Sequence, residues 1–281
     1  MVLALLVAVL WGVAFVATRI GLDELSPAQL AIARFAIAAA PVLVVARPRV
    51  PWPAIIAVGL TLFAGQFMFQ FFGIAAGMPP GLASVVVQSQ ALFTIALAAL
   101  FLGERPTSRQ VTGVVIGAAG LAAIAMTIGG ELSATALLLT LGSPVSFAVG
   151  NLLLKRLPTA APFGLVAWLS LVPPIPALAV GSMLHGPHAV ADVASLSWRG
   201  VVAALYLGAV ATTLAYAMWG ALLRRYPTAL VAPFALLVPF VAAASSAAVF
   251  GERFGGLRLA GMALVLCGLA VIVVPGREAA A

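Results

Sequence analysis

Apolar residues run in ten blocks along this chain, each closed by a short cluster of charge, proline or glycine. The blocks cover about residues 3–22, 28–46, 53–76, 80–102, 108–127, 133–154, 163–184, 198–221, 228–250 and 257–275. Each approaches the roughly 17–25 residues that a helix needs to cross a bilayer. The pattern predicts an all-α membrane protein of ten transmembrane helices. Several breaks are very short, such as "GMPPG" at 77–81 and "RRYPTA" at 224–229, so neighbouring spans should form tight antiparallel hairpins. The longest break, "HGPHAVADVASLSW" from His185, is too small for a soluble domain. The first run starts almost at Met1 with no basic segment before it, which reads as a first span rather than a cleaved signal peptide.

Composition agrees with this pattern. The 281 residues are 64% hydrophobic and only 7% charged, with a mean hydropathy of +1.22. A soluble protein of this size could not hide so much apolar surface. The net charge of +7 does not suggest nucleic acid, because the basic residues stand in short clusters between apolar runs. They read as topology signals and lipid contacts. Ten spans put both termini on one side. Nine basic residues fall there: Arg47, Arg49, Arg105, Arg109, Lys155, Arg156, Arg224, Arg225 and Arg277. Four fall opposite: Arg19, Arg199, Arg253 and Arg258. The positive-inside rule then places the termini in the cytoplasm. Asp23 and Glu24 would face outward, with Arg34 of the second span snorkelling toward them.

The chain also repeats itself. "FLGERPTSRQVTGVVIGAAGLAAI" from Phe101 and "VFGERFGGLRLAGMALVLCGLAVI" from Val249 both carry Gly-Glu-Arg, a glycine nine residues after the Glu, then Gly-Leu-Ala and an Ile. Pro79 aligns with Pro227, and Trp52 with Trp198. The repeated turns end spans four and nine, so each half holds five helices. Five is odd, so the second half runs upside down relative to the first, an inverted repeat of the kind found in secondary transporters. The halves are expected at residues 1–130 and 131–281, around a central cavity. Gly113 and Gly117 form a GxxxG whose contact is expected within the bundle rather than between chains.

With "WGVAFVATRIGL" at 11–22, "SPAQLAIARF" at 26–35 and Gly-Glu-Arg ending spans four and nine, the whole chain resembles the EamA family of the drug/metabolite transporter superfamily. Within it, the bacterial amino-acid exporters, including those for aromatic amino acids, are the most similar. The resemblance implies a ten-helix basket in a bacterial inner membrane. Spans one, three, four, six, eight and nine would line its cavity. Spans two and seven would be peripheral, and five and ten would pack the repeats together.

Polar residues deep in spans are costly and should face an interior. Helical spacing groups Gln66 with Gln70 in span three, and Thr212 with Tyr216 in span eight, with Trp219 one turn on. Aligned at their tryptophans, the two spans present these pairs at matching positions. Ser84 with Gln88 and Gln90 with Thr94 of span four, Ser143, Phe147 and Asn151 of span six, and Trp11, Phe15 and Thr18 of span one complete an uncharged pocket of amides, hydroxyls and rings. Trp11, Trp219 and Tyr206 read equally as interfacial belt residues, and Trp52 and Trp198 as belt residues. Pro144, Pro173, Pro174, Pro176, Pro233 and Pro239 are expected to break spans six, seven and nine.

No Asp, Glu or His lies deep in any span, which disfavours proton-coupled multidrug exchange. A highly charged substrate is disfavoured too. A zwitterion with an apolar or aromatic side chain suits the pocket, carried by alternating access without an obvious proton relay. A lipid-linked sugar flippase or a multidrug or metabolite exporter of the same superfamily is the alternative. No catalytic constellation and no channel filter is present, so neither an enzyme nor a channel is expected. His185, His188 and Asp192 read as loop residues rather than a metal site, and Cys267 as a packing residue. No cofactor or metal is expected. The expected partners are a small-molecule amino acid or metabolite and membrane lipids, not nucleic acid, with a single chain sufficing.

Overall fold

The computed structural model describes residues 1–130, 132–157, 162–186 and 196–274. Among the described residues nine helices are long and apolar enough to span a bilayer: α1 Val2–Leu22, α3 Trp52–Ala75, α4 Pro80–Leu102, α5 Ser108–Ala125, α6 Ala134–Leu154, α7 Gly164–His185, α8 Trp198–Arg225, α9 Ala232–Phe250 and α10 Gly256–Val273. A shorter apolar helix, α2 Pro27–Leu43, completes the set of ten. Its last turn, Ala40–Leu43, is 3-10, where Pro41 lacks the N–H that an α-turn needs. Large apolar side chains such as Leu100, Leu138, Ile175 and Met183 stand exposed on the outside, as a lipid-facing surface requires.

Local chemistry sets the helix ends. Ser26 with Gln29, and Thr107 with Gln110, form reciprocal capping boxes at the starts of α2 and α5. Ser133 and Ser197 cap α6 and α8. The glycine of each repeated Gly-Glu-Arg closes its helix in the left-handed region, Gly103 at φ 65° after α4 and Gly251 at φ 68° after α9. Only glycine takes that conformation freely.

The two halves meet along α5 and α10, the most extensively packed pair of helices. A Cβ added at Gly120 would lie 2.6 Å from the Gly261 carbonyl, and one at Gly261 would lie 2.9 Å from the Gly120 carbonyl. Gly113 and Gly268 are related in the same way, at 2.6 and 2.5 Å. Gly113 and Gly261 are the repeated glycines of the sequence, as are Gly120 and Gly268, so each contacts the mate of the other. That reciprocity is what a pseudo-two-fold axis between inverted halves produces. The GxxxG at Gly113 and Gly117 thus packs inside the bundle, Gly117 against Leu92 of α4.

Two apolar cores flank the centre. One gathers Phe35, Phe63, Phe71, Leu169 and Leu207 from α2, α3, α7 and α8. The other gathers Leu82, Val86, Ile124, Ala242 and Val265 from α4, α5, α9 and α10. Several spans carry irregular turns, and some differ from the sequence expectation. Pro144 is taken into α6 without interrupting it, whereas α7 pauses before Pro174 and α9 begins as a 3-10 stretch, Ala232–Leu237. The α3 and α8 helices carry π-helical stretches, Gly59–Gly65 and Tyr206–Leu214, that contain no proline. They occupy matching positions in the two repeats. Cys267, read from the sequence as a packing residue, is exposed on α10. Arg34 does not snorkel outward. Asp23 pairs instead with Arg19 at 2.9 Å, and Glu24 accepts from the backbone and side chain of Ser197. Those bonds from Ser197 hold the Glu24 carboxyl below its ordinary range.

Substituting Gly268 by alanine forces a methyl against the Gly113 and Gly117 backbones, which cannot move aside as a flexible side chain would. The expected cost is about 1–3 kcal/mol, read as a lowered unfolding midpoint in detergent, with Gly256→Ala, in open space at the first helical position, as the control that loses nothing.

Candidate functional site

A cavity of about 240 Å³ opens between the two cores, at the level of the helix irregularities. Residues from both cores form its wall: Phe15, Val87 and Val238 from one, Ala14 and Phe67 from the other. Its polar lining is Arg34, Gln66, Gln70, Gln88 and Gln90, and its rings include Trp11, Phe147, Tyr216 and Trp219. Nine of the pocket residues expected from sequence therefore meet here: Trp11, Phe15, Gln66, Gln70, Gln88, Gln90, Phe147, Tyr216 and Trp219. The other six are not in the wall, among them Thr94, whose hydroxyl donates to the Gln90 carbonyl of its own helix, and Ser143, which is buried. Thr18 and Ser84 are buried and turn their hydroxyls to the Ala14 and Gly81 carbonyls of their own helices. Asn151 lies one turn beyond Phe147, outside the lining. Thr212 stands behind the wall and holds Arg34.

Irregular backbone builds the site. The α4 helix breaks at Ser89, between Pro80–Gln88 and Gln90–Leu102. The break brings Gln88 and Gln90 to the same cavity, although two residues apart they would diverge on a regular helix. Three of the irregular stretches accept a side-chain donor from the opposite half. Trp11 donates its indole N–H to the Ala211 carbonyl in the π-stretch of α8, at 3.0 Å. Ser146 of α6 donates to the Thr61 carbonyl in the π-stretch of α3, at 2.7 Å. Gln88 Nε2 donates to Ala235 in the 3-10 stretch of α9, at 2.8 Å. Trp11 and Tyr206 are therefore not belt residues: the Tyr206 hydroxyl donates back to the Leu10 carbonyl at 2.8 Å. Trp52 and Trp198 do stand exposed at the starts of α3 and α8.

A continuous row of rings runs from the cavity wall into the adjoining core. Trp11 packs against Trp219 and Tyr216 at centroid distances of 5.2 and 5.3 Å, and Tyr216 meets Phe63 at 5.8 Å. Phe63, Phe35 and Phe67 continue the row to Arg34, whose guanidinium carbon lies 3.9 Å from the Phe67 centroid.

Arg34 changes the expected electrostatics. It sits halfway along α2 and is 3% exposed, so α2 is not merely peripheral and the cavity is not uncharged. Its Nε donates to the Thr212 hydroxyl at 3.0 Å. Thr212 in turn donates to the Leu207 carbonyl five residues back, a bond that the π-turn permits. The ion pairs found among the described residues, Arg19–Asp23 and Lys155–Glu104, do not include Arg34. A lone charge at mid-bilayer costs roughly 2.5–3.5 kcal/mol on insertion scales. Arg34 carried a sequence signal, as the basic residue inside a span. Gln66 Oε1 and Gln90 Oε1 are buried without hydrogen-bond partners, so both amides have capacity left for a ligand that brings N–H donors.

The cavity is sealed at one end only. Toward the 251–255 turn, the second half of α9 packs along the first half of α4. There the Gly81 N–H donates to Glu252 at 3.2 Å, and Phe254 and Ala243 close on Gly81. At the opposite end the first half of α9 and the second half of α4 make no comparable contact. Glu104, the repeat mate of Glu252, reaches instead to Lys155 at 3.0 Å. Among the described residues no group of metal-ligating side chains occurs. His185 is an exposed residue at the end of α7, while His188 and Asp192 lie outside the described residues.

Comparisons with known proteins bear on this geometry. Residues 1–126 and 134–274 match the EamA-like transporter family. A protein of Salmonella typhimurium named "Probable amino-acid metabolite efflux pump" is 41% identical over 279 residues, covering 96% of this chain and 93% of its own. A protein of Escherichia coli with the same name is 39% identical over 280 residues, covering 97% and 94%. A solved crystal structure at 21% identity gives a TM-score of 0.64 over 99% of this chain and 98% of its own, which establishes likeness of fold.

Trp11→Phe keeps a ring but strands the Ala211 carbonyl, so thermal unfolding in detergent should show a loss of about 1–3 kcal/mol. Burial lifts the Glu252 carboxyl above its ordinary range, against the Gly81 N–H that favours the ionised form. The folded chain therefore holds that proton more tightly than the unfolded chain. The stability from this group is full below the unfolded value of 4.5 and is lost as pH rises through the raised one. Glu252→Gln retains an acceptor and removes the titration. Its melting temperature should equal or exceed that of the parent at neutral pH, with the pH dependence flattened.

Proposed function

We infer the function from one premise: the chain belongs to the EamA-like transporter family. It exports amino acids or closely related small metabolites, chiefly those with apolar or aromatic side chains, across a bacterial inner membrane. The mechanism is alternating access between two inverted halves, residues 1–130 and 131–281. The observation that carries this reading is the polar cavity between the two halves, closed at the Glu252 end and not at the other. With both termini cytoplasmic, the unsealed end faces the cytoplasm, the state in which an exporter loads. Exchanging the conformations of the two halves gives the releasing state. The first half of α9 then closes on the second half of α4, and Glu104 leaves Lys155 to take over the start of α9 the place that Glu252 holds over α4.

The size of the cavity supports a small ligand, since about 240 Å³ is below the roughly 300–1,000 Å³ of sites for drug-sized molecules. Rings on one flank suit an apolar or aromatic side chain, and the glutamines suit the polar end. No Asp, Glu or His lines the cavity, which argues against a carboxylate relay for protons. The reading involves no bond-making step and no cofactor. An apolar groove of about 480 Å³ on the outer face of α9 and α10 shares no lining residue with the cavity. That separation disfavours a flippase, which needs a polar path continuous with a lipid-facing one.

Counterflow of labelled L-phenylalanine into proteoliposomes loaded with unlabelled substrate, with no pH gradient or voltage, should proceed. Gln70→Ala and Tyr216→Ala should lower its apparent affinity about tenfold, the scale of one lost hydrogen bond to a charged ligand group. Loss of all exchange without a gradient would replace this reading with obligatory coupling, and unchanged transport in both variants would remove the cavity assignment.

A further inference from the structure

We propose that Arg34 is the anchor for the substrate carboxylate, and that the cavity therefore selects small monocarboxylates. The proposal rests on the transport reading above and names its ligand class. Arg34 lines the cavity from mid-span and is almost wholly buried. The Thr212 hydroxyl takes its Nε, and the Phe67 ring covers one face of the guanidinium. Both contacts fix the plane of the group. The two terminal amino groups have no hydrogen-bond or ion-pair partner among the described residues. A guanidinium oriented in this way presents the fork that binds a carboxylate through two parallel hydrogen bonds. Thr212 and Phe67 are neutral, so they orient the charge without cancelling it.

The rest of the lining sharpens the class. No carboxylate lines the cavity, so Arg34 supplies an uncompensated positive charge in a low-dielectric setting, and the ligand is its missing counter-ion. A second carboxylate on the ligand would find no cation. A cationic side chain, or a polyamine, would be repelled by Arg34 with nothing to offset it. An α-ammonium is tolerated because the ligand's own carboxylate accompanies it, and the unpartnered Oε1 atoms of Gln66 and Gln90 can accept from it. The carboxylate is thus the required group, and the amino group is dispensable.

The test uses the purified full chain and two readouts, ligand-induced thermal stabilisation in detergent and competition in phenylalanine counterflow. The probes are L-phenylalanine, 3-phenylpropionate, phenethylamine, L-phenylalaninamide and L-glutamate. Phenylalanine and phenylpropionate should stabilise and compete, while phenethylamine, phenylalaninamide and glutamate should do neither. Arg34→Met should weaken the apparent affinity for both carboxylates about 10- to 100-fold. Arg34→Lys, which keeps the charge without the fork, should retain the carboxylate preference at lower affinity. The anchor is overturned if phenethylamine acts as well as phenylpropionate, if no carboxylate stabilises the parent chain, or if Arg34→Met binds phenylpropionate as the parent does. Carboxylate-dependent stabilisation without any exchange would overturn transport and leave the anchor standing.

Discussion

In hydrocarbon, a backbone N–H or carbonyl without a partner has no water to turn to. That constraint governs the centre of this molecule. A central site needs helices that bend and shift register, but each irregular turn leaves carbonyls unbonded. Here the remedy comes from the other half of the chain. Trp11 serves the π-stretch of α8, Ser146 that of α3, and Gln88 the 3-10 stretch of α9. These three stretches are therefore braced across the two halves, and residues of both halves line the cavity.

The same arrangement suits movement. Donors that cross between halves are few and directional, and they lie beside the cavity. Each apolar core joins helices of both halves and presents only its edge to the cavity, and the α5–α10 glycine contact takes no part in the lining. The two glutamates at the ends differ in their partners. Glu252 caps α4, whereas Glu104 is drawn aside by Lys155. One sequence motif in two environments makes the present state asymmetric, although the underlying architecture is two-fold.

Arg34 brings the electrostatic side of the same problem. Thr212 and Phe67 orient it without neutralising it, and an unneutralised charge within a bilayer interior is retained where it has a use. Its hydrogen bond to Thr212 also ties α2 to the π-stretch of α8. Occupancy at the guanidinium and the backbone geometry of α8 are consequently in direct contact.

Much of the fold was legible in the residues themselves. Apolar runs of spanning length, capping boxes and the repeated Gly-Glu-Arg fixed the helices, their ends and the inverted pairing, because each depends on hydrophobic length or on turn chemistry within a few residues. Helical spacing also found Gln66, Gln70, Phe15, Phe147 and Tyr216. It failed where a neighbour distant in sequence decides. Gln90, which spacing set with Thr94, instead joins Gln88 through the break of α4 at Ser89. Thr18, Ser84 and Asn151 share faces with wall residues without reaching the wall. Arg34 read as a snorkelling cation because its distance from Asp23 and Glu24 is visible in the sequence. Its true partner, Thr212, is 178 residues away, and Trp11 meets Ala211 across 200. Sequence alone determined what must lie in the membrane and how the halves are related. Tertiary structure alone decided which polar groups face the cavity, because that depends on backbone turns braced by contacts between the halves.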